Sequence, residues 1–510
     1  MAEGGRSFLR RPWSWFIGGI FFGIAQLIYA AWFVSHKNLY HYLTVTTQLA
    51  GMFGTLERVF NLRVITREIT LSNGDTVIPL KPDIHWFVWA LILFSFLIAA
   101  YLERDYRGWV RYNWKYILLA FFGGMVFSYG TRLAAGCTLN HMFGGFSVMT
   151  IASMFVLLGI LIGALPTFYL VSKYFGPYIK PWEYKGSYPE YLEMAKKFDL
   201  KGDYLVHDPR YRWYKNPLHI LLLLGIIGMA IITLYYGIIG QIDGITLKHG
   251  LQAKDMWYVV ASVLAAIFVA FGVVKAGLGS VCGEICPEAS LIIDKQSKQL
   301  ADMKLPTFTM VTFRSMQPFI GVLTIMLITG FGGFVAWANG ATLYHKTGLY
   351  LPHLGHIIGG ILLGAGAVMI LGCEFRTYVR VGVGFLNSLA AFIGFYFGYW
   401  PFALLYEQHL KFFESTRFFD KYFLFQLIDG SQELGYTPLR GIAYIAWLLL
   451  LLGLLIFAVY RGAKNLDVSP KDILLKSPVE LYVELVKRNV SKVMRFVEEA
   501  SEKREIAIPA

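Results

Sequence analysis

Four cysteines, Cys137, Cys282, Cys286 and Cys373, are the residues whose type and placement invite a chemical reading. Each stands at or near the end of a long apolar stretch, and each has polar company. Arg132, Thr138, Asn140 and His141 surround Cys137; Lys275, Glu284 and Glu288 flank the middle pair; Glu374, Arg376 and Arg380 follow Cys373. A buried cysteine without such neighbours is a small hydrophobe, and four in 510 residues make no disulfide scaffold. A thiol is a weak donor and a soft, polarisable acceptor. A ladder of thiols would therefore pass along a soft sulfur- or selenium-bearing anion while giving little to hard oxyanions, with Arg132, Arg376 and Arg380 attracting its charge. Cys282 and Cys286, four apart, could instead hold a metal or shuttle as a dithiol on a helix, but two ligands do not close a metal site. No cofactor is expected. A haem- or quinone-linked subunit would need histidines facing one another within spans; His85, His219, His353 and His356 stand at the starts of apolar stretches instead.

The elements that must position these groups are membrane helices. Hydrophobic residues make up 56% and charged residues 15% of the chain, a balance that excludes a soluble enzyme and excludes disorder. About ten apolar stretches have the ~20-residue length of a membrane crossing; they begin near Trp13, His85, Tyr116, Thr150, Pro217, Trp257, Gln317, His353, Phe385 and Leu439. The first follows Arg6, Arg10 and Arg11 as a signal peptide would, but it runs on to Val34 without a small-residue cleavage site and reads as a retained helix. The excess of 46 basic over 33 acidic residues lies mostly between these stretches. It therefore reads as membrane orientation, with both termini cytoplasmic, and not as nucleic-acid binding.

The expected fold is an all-α polytopic membrane bundle. Residues 1–171 form a first membrane repeat, with an outside loop near 35–84 carrying a β-hairpin around Ser72-Asn73-Gly74-Asp75. A cytoplasmic connector, 172–216, leads to a second repeat, 217–405. An extra amphipathic segment and last span follow over 406–461. The tail, 462–510, is cytoplasmic and amphipathic, with Leu481, Leu485, Val486, Val490, Val493 and Val497 on a charged background.

The repeat rests on glycines and cysteines. Gly123, Gly124, Gly136 and Cys137 recur at one constant spacing as Gly359, Gly360, Gly372 and Cys373; Gly159, Gly163 and Pro166 recur as Gly394, Gly398 and Pro401 at a spacing one residue shorter. Phe22-Gly23 matches Phe271-Gly272 more weakly, an alignment that sets Phe33 against Cys282. The paired units lie five spans apart, so equivalent helices cross in opposite directions, the arrangement of transporters with a midplane site at broken, re-entrant helices. Close helix packing alone would also explain individual glycines.

At Gly136-Cys137-Thr138-Leu139-Asn140-His141 and Gly372-Cys373-Glu374-Phe375-Arg376 the sequence resembles the YeeE/YedE family of bacterial inner-membrane proteins. The similarity is read from the first span to about Pro401, including Cys282-Gly283-Glu284-Ile285-Cys286-Pro287. The resemblance implies uptake of thiosulfate or a related sulfur compound, short re-entrant helices meeting at a narrow waist, and thiols at Cys137, Cys282 and Cys373 that relay the substrate. The chain departs from the family pattern at Asn140, where glycine is expected, and at Glu374, where proline is usual. A carboxylate there would repel an anion unless it is protonated or neutralised by Arg376 or Arg380.

The sequence thus reads as a permease, not an enzyme, for a small sulfur-containing ion in the cytoplasmic membrane. Its substrate pathway comprises Cys137, Cys282, Cys373, Cys286, Arg132, Thr138, His141, Glu374, Arg376 and Arg380. It carries no phosphate-cradling Gly-rich Lys-Ser/Thr loop and no dinucleotide fingerprint. The alternative is a membrane component of a persulfide relay that hands sulfane sulfur to a cytosolic sulfurtransferase-like partner.

Overall fold

Apolar segments in lipid have no water to satisfy their backbone, so they fold as helices. The computed structural model describes residues 8–9, 11–102, 114–175, 217–251, 256–288, 308–344, 351–485 and 487–488, and 73% of the described structure is helical. Most of the connector, residues 176–216, and the end of the tail, residues 489–510, lie outside the described residues.

In the first half, α1 (Trp15–Lys37) is followed by α2 (Thr46–Val59), α3 (Trp86–Leu97), α4 (Trp114–Leu133) and α5 (Ile151–Phe175). A π-helical turn, Ile98–Leu102, extends α3, and a second, Leu139–Gly145, separates α4 from α5. Next come α6 (Pro217–Ile239), α7 (Met256–Ala276), the short α8 (Ser280–Glu284) and α9 (Phe308–Arg314). The second half continues with α10 (Gln317–Ala338), α11 (Leu354–Met369), α12 (Glu374–Val383) and α13 (Leu386–Leu404). Finally α14 (Tyr406–Ser415), α15 (Leu424–Asp429), α16 (Pro438–Leu466) and α17 (Pro470–Leu475) close the chain.

A helix stands at each of the ten apolar stretches. Among the described residues seven helical segments are long and apolar enough to cross a membrane, or eight when α13 and α14, bent by 73°, count as one broken span. The other two, Trp86–Leu102 and Leu223–Ile239, are shorter apolar helices. The last apolar span, α16, runs to Leu466, beyond the expected end at 461. Arg440, expected inside that span, lies in its first turn, where it pairs with Asp429 and donates to the Gly435 carbonyl at 2.7 Å. The outer face of α16 is exposed at Ile442, Leu449, Ile456 and Phe457, as lipid contact requires.

Lipid tails are as apolar as leucine, so close backbone approach, not water exclusion, must hold such helices together. Gly123 of α4 abuts Met369 and the Gly366 carbonyl of α11, while Gly130 abuts the Gly359 carbonyl, so these helices run antiparallel. Gly159 and Gly163 of α5 rest on the Ile357 and Ile361 carbonyls of α11, a parallel pair. Gly394 and Gly398 of α13 rest likewise on the Phe121 and Met125 carbonyls of α4. Helices α1 and α7 form another antiparallel pair, with Phe21 against Phe268 and Trp32 against Tyr258.

The loop read as outside contains the small hairpin, Ile69–Thr70 paired with Thr76–Val77. It also holds what the sequence reading missed, the buried helix α2. After α17 the chain packs back on the bundle. Leu481, Tyr482 and Leu485 are buried, Gln317 donates to the Ile473 and Lys476 carbonyls, and Arg488 donates to the Leu466 carbonyl at 3.0 Å.

Candidate functional site

Two helix breaks build the site. At the first, α4 ends, Ala135 takes a left-handed conformation with φ 55°, and the chain passes Gly136 and Cys137 into the π turn. At the second, α11 ends, Leu371 takes φ 55°, and Gly372 leads to Cys373, the N-cap residue of α12. Left-handed geometry costs a side-chain-bearing residue on the order of 1 kcal/mol, so its presence two residues before each thiol marks an enforced break. The glycines are needed for a different reason. A Cβ on Gly136 would meet the Asn140 and His141 side chains, and one on Gly372 would meet Arg376. In each case the side chain four residues on folds back over the break.

The thiols of Cys137 and Cys373 are fully buried. Cys137 faces the Thr46 hydroxyl from α2, the Asn140 backbone and the Glu374 carboxyl from α12. Cys373 faces the side chain and backbone of Ser280 at the start of α8. Ser280 Oγ also donates to Thr138 Oγ1 at 2.9 Å. The residue following each thiol therefore lies in the surroundings of the other, and the two breaks meet in one cluster.

Charge enters this cluster unevenly. Glu374 accepts from Tyr378 Oη at 2.6 Å and faces Cys137, Thr46 and the positive charge of Arg132. Arg132 lies 5.2 Å from the Tyr399 ring centroid, a desolvated cation–π contact. On the other side Arg376 Nη1 donates to Cys282 Sγ at 3.5 Å. Cys282 is the one half-buried cysteine; Cys286 is buried and donates to the Phe313 carbonyl at 3.5 Å.

An aromatic wall stands beside the breaks. Phe22 of α1 packs edge-on against Phe143 at 5.2 Å and Phe375 at 5.0 Å, and all three rings are fully buried. Two apolar grooves, of about 370 and 250 Å³, lie elsewhere, one between Tyr129 and Phe412 and the other between Ile28 and Leu264. Cys137 and Cys373 themselves present no surface to solvent, while Cys282 is half-buried. Beyond Thr46, a polar chain leads away: Gln48 donates to the Tyr258 hydroxyl and meets His249 Nε2 at 3.3 Å, and His249 Nδ1 pairs with Asp83.

Of the residues singled out in the sequence, Cys137, Thr138, Cys373, Glu374 and Arg132 come together at the meeting of the breaks, with Cys282 and Arg376 at its edge. His141 braces its own turn, bonding Ser153 Oγ at 3.0 Å and the Ala134 carbonyl at 2.7 Å. Arg380 donates to the Leu371 carbonyl at 2.9 Å and lies 4.8 Å from the Phe385 ring centroid, clasping the second break. Sequence reasoning missed Thr46, Ser280, Tyr378, Tyr399 and Phe22. The available signal was the pair of hydroxyl residues, Thr46 and Ser280, each opening a short helix after a long one.

These features define a polytopic helical membrane protein whose cysteines sit at paired helix breaks. A family model described as sulphur transport matches residues 2–165 and 307–498, about seven-tenths of the chain, and the protein belongs to this family, the YeeE/YedE sulphur transport family. The match omits residues 166–306, so Cys282 and Cys286 lie outside it, and it extends well past Pro401 into the tail. No curated protein matches the chain in sequence.

Proposed function

We propose that the protein carries thiosulfate, or a close sulfur- or selenium-bearing relative, inward across the cytoplasmic membrane by passing it between Cys137, Cys373 and Cys282. The observation that carries this reading is the meeting of the two breaks: Glu374 beside Cys137, and Thr138 beside Cys373 through Ser280. A soft terminal sulfur accepts S–H contacts from both thiols in turn, and neither contact is covalent, so release stays easy. Both thiols are buried at rest, so the passage opens by movement of residues 137–145 and 373–383 past the phenylalanine wall. Both termini face the cytoplasm, where the Lys- and Arg-rich segments lie.

The passage is formed by two inverted halves, and reciprocal contacts support this. Helix α10 packs on α1 as α3 packs on α7; α5 packs on α11 as α13 packs on α4; α8 meets α5 as α2 meets α13. Gly159 rests on Ile357 as Gly394 rests on Phe121, and Gly124 on Ala391 as Gly360 on Val156. In each case exchanging the halves maps one contact onto the other. The same exchange sets Thr46 against Ser280 and Thr138 against Glu374, and makes Gln48, not Phe33, the counterpart of Cys282.

Sulfur-dependent growth and uptake of labelled thiosulfate test the proposal. Cys137→Ala and Cys373→Ala are expected to abolish growth and to cut uptake roughly tenfold or more while the proteins still reach the membrane. Wild-type uptake by the two variants would remove the thiols from the pathway. A sulfane-sulfur adduct seen by intact mass, with no transport by the purified protein, would favour a persulfide relay to a cytosolic protein.

A further inference from the structure

Glu374 occupies a place in which a permanent negative charge obstructs the proposed cargo. It is 1% exposed, it touches the surroundings of Cys137, and its counterpart beside the other thiol is the neutral Thr138. The titratable and charged groups facing it are Arg132 from α4, Cys137 from the first break, Tyr399 from α13 and Tyr378 from its own helix. Helices α3 and α7 also pack on α12. Residues Trp86–Leu97 include no titratable side chain; on α7, Tyr258 is engaged with Tyr29 and Gln48, and Lys275 lies over the Trp13 ring. Arg132 is the cation that faces the carboxyl.

One cation balances one carboxylate. An anion arriving at Cys137 adds negative charge a few ångströms from Glu374 in a water-excluded site, where two like charges cannot both persist. The substrate is the stronger claimant on Arg132, because its charge cannot be shed, whereas the carboxyl can take a proton. When the anion moves on to Cys373, the flanking residue is a threonine, and nothing further holds the proton on Glu374.

We propose that Glu374 loads a proton from the entry side when the anion reaches Cys137 and releases it to the exit side once the anion has passed, coupling uptake to proton entry. The inference rests on the thiol pathway proposed above. No covalent bond changes: the proton moves from water to a carboxylate oxygen and back to water. Tyr378, donating to Oε1 at 2.6 Å, holds the carboxyl in place in both states.

The purified protein in liposomes loaded with a pH-sensitive dye decides the matter, with labelled thiosulfate as the probe. Wild-type protein is expected to acidify the lumen as thiosulfate enters, and an inward proton gradient is expected to raise uptake several-fold. In Glu374→Gln the ratio of protons to thiosulfate entering falls to zero, and in Glu374→Asp, which keeps the titrating group, it is restored. Should Glu374→Gln fail to reach the membrane, Glu374→Ala takes its place: a ratio near zero supports the coupling and a wild-type ratio overturns it. Wild-type uptake without acidification, or a Glu374→Gln ratio equal to wild type, overturns the coupling and leaves the thiol pathway standing. Absence of thiosulfate uptake by wild type overturns the pathway and the coupling with it.

Discussion

Around Cys137 the neighbours are Thr46 and Glu374, backed by Arg132, Tyr378 and Tyr399; around Cys373 they are Ser280 and Thr138, with Cys282 and Arg376 at the edge. The backbone ahead of each thiol agrees, with a left-handed residue two positions before it and a side chain folded over the preceding glycine, although a π turn follows Cys137 and an α-helix follows Cys373. The side chains filling those frames differ in charge. A buried carboxyl with its own cation stands at one thiol, while a hydroxyl pair, with a second thiol and an arginine nearby, stands at the other. The comparison teaches that position in the frame is set by glycine and by helix ends, whereas the handling of charge is free to diverge within it.

The comparison can be broken most forcefully at the thiols themselves. A sulfur contact to an anion is worth about 1.5–3 kcal/mol, so Cys137→Ala and Cys373→Ala should each lower labelled uptake roughly tenfold to a hundredfold. A large effect at one thiol alone would confine the pathway to one half. The matched frames can be tested with mirrored glycines. Adding a side chain at Gly159 or at Gly394 drives it into a backbone carbonyl of the neighbouring helix, and Gly159→Val and Gly394→Val should each cost about 1–3 kcal/mol by overpacking. Thermal unfolding in detergent should show similar drops for the two; a drop for one only would argue against equivalent packing.

The charge difference can be sharpened next. Arg376→Gln removes the cation beside Cys282 and should raise the half-saturating thiosulfate concentration about tenfold, the worth of one charge-assisted contact, with little change in membrane yield. An unchanged half-saturation value would take Arg376 out of the pathway. Least of all, Cys286→Ala should change uptake by less than about twofold, because the thiol donates to the Phe313 carbonyl and such neutral bonds contribute only about 1 kcal/mol to folding. A loss at Cys286 comparable to that at Cys137 would extend the ladder by one rung.

Much of this was legible in the chain, for identifiable reasons. Apolar runs without other backbone partners had to be helices, and a helix stands at each of the ten. The Gly-Cys units announced breaks because glycine leaves room where the next turn folds back. Helix α2 escaped notice because it is only 14 residues long and mixes Gln48, Glu57 and Arg58 with its apolar positions, so neither length nor hydropathy marks it. Thr46 was missed with it. Tyr399 and Phe22 gain their place only from contacts between segments far apart in sequence, which no local pattern encodes, whereas Tyr378 stands four residues after Glu374 on one helix, a spacing the sequence does show.

The central claim is that one ion meets both thiols. Anomalous scattering from a crystal soaked in selenosulfate, a selenium-tipped relative of thiosulfate, tests it most directly. The account predicts selenium peaks within about 4 Å of Cys137 Sγ or Cys373 Sγ, between the Thr46 and Ser280 hydroxyls. Selenium bound elsewhere, with the two thiols packed as they are without it, would contradict the account.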